Sequence, residues 1–101
     1  MNFLVKVHID AKERLLALCD PEILGKKYQL NGVNITVKER FYGGEEYSPT
    51  EVLIEINRCT SLNAFGSNIC QFLIDNNIVH PASVLWIEAE DSKVGHVILV
   101  K

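Results

Sequence analysis

The chain has 101 residues, a formal net charge of −3, 48% hydrophobic and 23% charged residues. That length supports one domain around one core, the composition excludes wholesale disorder, and the charge excludes any general attraction to nucleic acid or anionic lipid. Three cysteines, Cys19, Cys59 and Cys70, are odd in number and never form C-x-x-C, which argues against a disulfide framework or a structural zinc site.

Phe3, Val5, Val7 and Ile9 alternate with Leu4, Lys6, His8 and Asp10, the period-2 pattern of a half-buried strand. Asp10-Ala11-Lys12-Glu13 is a tight connection, after which Arg14 to Cys19 returns as an antiparallel partner; a run this short also fits a buried helix start. Asp20-Pro21-Glu22-Ile23-Leu24-Gly25 reads as one helical turn, with Asp20 as its cap, Pro21 at the first position and Gly25 ending it in the left-handed region. Asn31-Gly32 inside Tyr28–Lys38 predicts a hairpin, because both residues tolerate positive φ.

Arg40-Phe41-Tyr42-Gly43-Gly44 leads into Ser48-Pro49-Thr50-Glu51, a capping box with proline at the first helical position. Val52, Leu53, Ile56 and Cys59 follow at helical spacing. Thr60-Ser61-Leu62 is expected as a joint and Asn63 as the cap of a second helix carrying Phe65, Ile69, Phe72 and Leu73 on one face. Asn76-Asn77 and Pro81 end that helix. Val84–Glu88 and Val94–Val100 are strands about a Glu90–Lys93 turn, the last well inside the sheet. The expected order is β-β-turn-β-β-α-α-β-β: a single α+β domain over residues 1–101, with a largely antiparallel sheet and two consecutive helices on one face.

Candidate chemistry is sparse. Gly43-Gly44 ahead of a helix suggests a phosphate cradle, but Glu45, Glu46 and Glu51 occupy the same end and would repel an anion. The structural alternative is a tight turn needing positive φ, with Phe41 in the core. Lys26, Lys27, Lys38 and Arg40 converge if the hairpin forms, and Tyr42 or Tyr28 adds a base-stacking face. The competing account is four solvated cations that deter edge pairing. His8 and His96 lie on predicted strands and would have to meet near Cys19 to make a nucleophile–base pair or a partial metal site. No motif supports that meeting, and no metal or cofactor is implied.

Cys19-Asp20-Pro21-Glu22-Ile23-Leu24-Gly25-Lys26, Phe41-Tyr42-Gly43-Gly44 and Asn63-Ala64-Phe65-Gly66 occur in an order and spacing that resembles the archaeal family called domain of unknown function 424. The opening Leu4–His8 and closing Gly95–Val100 fit its ends, although Ile98 stands where the family usually carries glutamine. The resemblance implies a small cytoplasmic protein without established activity and a link to translation or RNA.

The function expected from all this is a non-enzymatic binding module for RNA or a ribosome-associated partner, using Lys26, Lys27, Lys38, Arg40 and Tyr42, with Gly25, Gly43 and Gly44 shaping the turns. The alternative is a small enzyme or ligand-binding protein built on Cys19, Asp20, His8 and His96 near Gly43-Gly44. Free thiols suit a reducing cytosol, the broken apolar run at Phe3–Val5 is too short for a signal peptide, and no run approaches the roughly 20 apolar residues of a membrane span.

Overall fold

The structure is a computed structural model describing residues 1–101. In chain order it contains β1 (Phe3–Asp10), β2 (Glu13–Cys19), β3 (Lys27–Leu30), β4 (Val33–Thr36), the single helical turn α1 (Glu39–Tyr42), β5 (Glu45–Tyr47), α2 (Pro49–Arg58), β6 (Ser61–Phe65), α3 (Ser67–Asp75), β7 (Leu85–Glu88) and β8 (Lys93–Val100). Six strands form one sheet in the order β5-β1-β2-β6-β8-β7, while β3 and β4 form a separate hairpin. Every pairing is antiparallel except β2 with β6.

The α+β class and the largely antiparallel sheet agree with the sequence, but the two long helices are not consecutive. Ser61–Phe65, expected as a joint and a cap, is a central strand beside β2 and β8. Leu62 and Ala64 turn to the helical side, Asn63 and Phe65 to the other. Two short elements also escaped the sequence pattern: α1, and β5 on the outer edge of β1.

The sheet has two unequal layers on it. On one face Phe3, Val5, Leu16, Leu18, Leu62 and Val97 pack against Val52 and Ile56 of α2 and Ile69 and Leu73 of α3. Burying each such side chain is worth about 1.5–3 kcal/mol before the entropy of ordering it. The capping box fixes where α2 begins: Glu51 N–H donates to Ser48 Oγ at 3.2 Å and Ser48 N–H to Glu51 Oε1 at 3.0 Å. On the other face Ala17, Cys19, Phe65, Ile87 and Val94 meet Ile23, Val37 and Tyr42 from the hairpin side of the molecule. β2 is therefore buried on both faces at its C-terminal end, which is why its apolar run is unbroken.

The hairpin and α1 cover only part of that second face. The register places His96, Ile98 and Val100 of β8 on it beside Leu85 of β7, and Leu85, Ile98 and Val100 are exposed.

Candidate binding groove

β2 ends by delivering Asp20 beneath the start of α3. Its carboxylate was expected to cap the Pro21–Ile23 turn, but that turn receives no side-chain bond. Asp20 Oδ2 instead accepts from Asn68 N–H at 2.9 Å and Oδ1 from Ile69 N–H at 2.8 Å. It thus caps α3 across the fold, replacing the side chain that Gly66, at the helix's own cap position, lacks. Gly66 has φ +135°, and a β-carbon there would run into the Asp20 carboxylate. Burial pushes the Asp20 carboxyl above its ordinary value, with the two N–H donors opposing that rise. Gly25 closes the turn with φ +85° as expected, and its N–H donates to Val37 O at 2.8 Å.

This corner opens into a groove of about 760 Å³. One wall is Lys26, Lys27, Tyr28 and Gln29 at the start of the hairpin, and the other is Glu88 to Ser92, where β7 turns into β8. Asp20, Glu22, Ile23, Ser67 and Val94 complete the lining. Asp20 is consumed by α3, which leaves Glu22, Glu88, Glu90 and Asp91 exposed against Lys26 and Lys27. The two walls do not neutralise each other: the ion pairs of the molecule are Arg14 and Arg58 with Glu55, on α2. The groove therefore holds more negative than positive charge, both exposed to solvent.

The other anticipated residues separate. Lys38 and Arg40 are exposed on and beside α1 and do not line the groove. The hairpin does bring Lys38 close to Lys26, since Val37 N–H donates to Lys26 O at 2.9 Å. Tyr42, expected as a stacking face, is only 6% exposed. Its hydroxyl donates to Asn63 Oδ1 at 2.6 Å, and its ring meets Phe65 edge-on. Phe41, expected in the core, is half-buried and stacks on His8 with ring centroids 4.8 Å apart.

The alternative site does not assemble. β2 and β6 lie between β1, which carries His8, and β8, which carries His96, so three strand spacings, about 14 Å, separate the two backbones. His8 Nε2 is held by Phe41 O at 2.8 Å and His96 Nε2 by Asn63 Oδ1 at 3.0 Å. Burial lowers the His96 pKa, keeping it neutral at pH 7. The Cys19 thiol is buried, donates to Asp20 O at 3.1 Å, and is pushed up to about 12 by burial and by the Asp20 and Glu22 charges. That is the opposite of an activated nucleophile.

Gly43 and Gly44 do not adopt positive φ. Their role is close approach, because a β-carbon on Gly44 would collide with the Val5 carbonyl. The turn they form is pinned to β1: Lys6 Nζ donates to Arg40 O at 2.7 Å, and His8 binds the next carbonyl.

Two functional groupings were missed. Asn63 sits under Tyr42 and His96 as a shared acceptor, legible only once Ser61–Phe65 is known to be a strand. The Glu88–Asp91 wall was divided between a strand end at Glu88 and a turn over Glu90–Lys93, although its three carboxylates stand within four residues.

The sequence pattern described as "Protein of unknown function (DUF424)" matches residues 7–97. The chain belongs to that family. A crystal structure of an uncharacterized conserved protein from Methanopyrus kandleri, 23% identical, superposes with a TM-score of 0.78 over 98% of this chain and 90% of that one. At that identity the likeness establishes a shared fold and carries no activity with it. No curated protein matches the chain. The family membership confirms the resemblance carried by Cys19–Lys26, Phe41–Gly44 and Asn63–Gly66, and two of those three segments meet at the Asp20–Gly66 contact beside the groove. No helix is long and apolar enough to cross a membrane.

Proposed function

We propose that the protein is a non-enzymatic binding module whose working surface is the groove between the start of the hairpin and the β7–β8 turn. Of the two partners anticipated, RNA and a ribosome-associated protein, the charge of the groove supports the protein, through segments that carry lysine or arginine. The observation behind this is the opposition of Glu22, Glu88, Glu90 and Asp91 to only Lys26 and Lys27, with no ion pair between the walls. A phosphate backbone brought into that groove meets net repulsion, Tyr42 is too buried to stack on a base, and one face of Tyr28 is already taken by Phe65.

Fluorescence anisotropy of the whole chain with a labelled lysine-rich peptide and with a poly-uridine oligonucleotide, each across a salt series, tests the reading. The peptide is expected to bind, to weaken as salt rises, and to weaken by about tenfold when Glu88→Gln, Glu90→Gln and Asp91→Asn are combined. Neutralising Glu45 and Glu46, on β5 at the opposite edge of the sheet, is expected to leave it unchanged. Binding of the oligonucleotide that is abolished by Lys26→Ala with Lys27→Ala overturns the reading in favour of RNA.

A further inference from the structure

Lys27, Tyr28 and Gln29 all line the groove, although consecutive residues of a strand point their side chains to opposite faces. What three successive residues share with one groove is the backbone edge of the strand. The phase of the hairpin shows what that edge carries. Leu30 pairs with Val33 across the two-residue turn, Tyr28 with Ile35, and Val37 N–H reaches Lys26 O at 2.9 Å. In an antiparallel pair, hydrogen-bonded positions alternate with positions whose N–H and C=O point outward. Lys26, Tyr28 and Leu30 therefore face β4, and Lys27 and Gln29 turn their backbone N–H and C=O the other way, where no strand is paired with β3.

We infer that an extended protein segment docks in this groove as a third strand of the hairpin sheet, bonding to the backbone of Lys27 and Gln29, with lysine or arginine side chains meeting the Glu88–Asp91 wall. Strand addition supplies affinity through main-chain bonds and leaves selectivity to side chains at alternate positions. Here selectivity comes from charge: the exposed carboxylates opposite β3 reject an acidic segment and accept a basic one. The inference rests on the groove being the working surface and adds the geometry of the bound segment.

The test uses the full chain and three synthetic peptides: an alternating Lys-Val peptide, the same peptide N-methylated at alternate residues, and an alternating Glu-Val peptide. Amide hydrogen exchange by NMR is expected to show the Lys27 and Gln29 N–H groups slowed on adding the Lys-Val peptide. N-methylation, which removes main-chain donors without altering charge, is expected to weaken binding at least about tenfold. The Glu-Val peptide is expected not to bind. If the N-methylated peptide binds equally while the combined Glu88, Glu90 and Asp91 substitutions still weaken it, strand pairing is wrong and the groove stands. If those substitutions change nothing, the groove itself is wrong.

Discussion

Asp20 couples three parts of the molecule through one carboxylate: the end of β2, the start of α3 and the floor of the groove. It is 1% exposed, so its oxygens have no ready water as an alternative partner, and the Ile69 N–H is buried as well while that of Asn68 is half-buried. Truncation leaves two helix-terminal donors unpaired in a site that water does not readily reach. Asp20→Ala is therefore expected to lower the unfolding free energy by about 1–3 kcal/mol, measured from urea midpoints at constant m-value. Asp20→Asn, which keeps one acceptor but points an amide N–H at the second donor, is expected to recover only part of that loss. Equal midpoints for wild type and Asp20→Ala would show that the helix start is held by something other than this carboxylate.

At the scale of elements, the Phe41–Gly44 turn shows how a glycine pair serves packing without positive φ. α1 lies against β1 and β2, and β5 then pairs with the outer edge of β1, so the chain at Gly44 must run directly over Val5. A methyl group there meets a backbone carbonyl rather than a yielding side-chain tip. Gly44→Ala is expected to cost about 1–3 kcal/mol, with slower hydrogen exchange retained in β2 and β6 and lost in β5. Loss spread evenly over the sheet would contradict this placement of the strain. The elements that were legible in advance have local signals: alternation in β1, Asn31-Gly32 in the hairpin, and the Ser48–Glu51 box before α2. The ones that were not legible depend on distant partners. β6 is five residues long, so its Ser61–Ala64 alternation ends at the buried Phe65 before it is long enough to stand out, and its Asn63 imitates a helix cap. Asp20 was read as the cap of the Pro21 turn, but the helix it caps lies 46 residues further along the chain, measured from Pro21 to Ser67. Of the expected cation cluster only Lys26 and Lys27 line the groove, and their acidic counter-wall required the β7–β8 turn to be placed opposite.

Over the whole molecule, the same sheet carries a larger, continuous core under α2 and α3 and a smaller one under the hairpin and α1, beside an open strip bearing Leu85, Ile98 and Val100. Layers of unequal size need not open together, because local unfolding follows the amount of apolar surface each layer keeps from water. The three cysteines report on this directly. Cys59 and Cys70 belong to the helix-side core and Cys19 to the hairpin-side core, and all three are buried. Cys19 and Cys70 are both pushed up to about 12, so at pH 8 only about one such thiol in ten thousand is ionised in the closed state. Reaction with a thiol reagent must then proceed through opening. Cys19 is expected to react first, followed by Cys59 and Cys70 at a common slower rate, with all three reacting promptly in guanidinium. Mass spectrometry of the singly labelled species identifies the site. Simultaneous labelling of all three would show that the hairpin layer and the helical layer form one cooperative unit, and the groove between hairpin and β7–β8 turn would then be rigid. Early reaction at Cys19 alone places that groove in the part of the molecule that moves at least cost, which is where a segment that inserts beside β3 would need it.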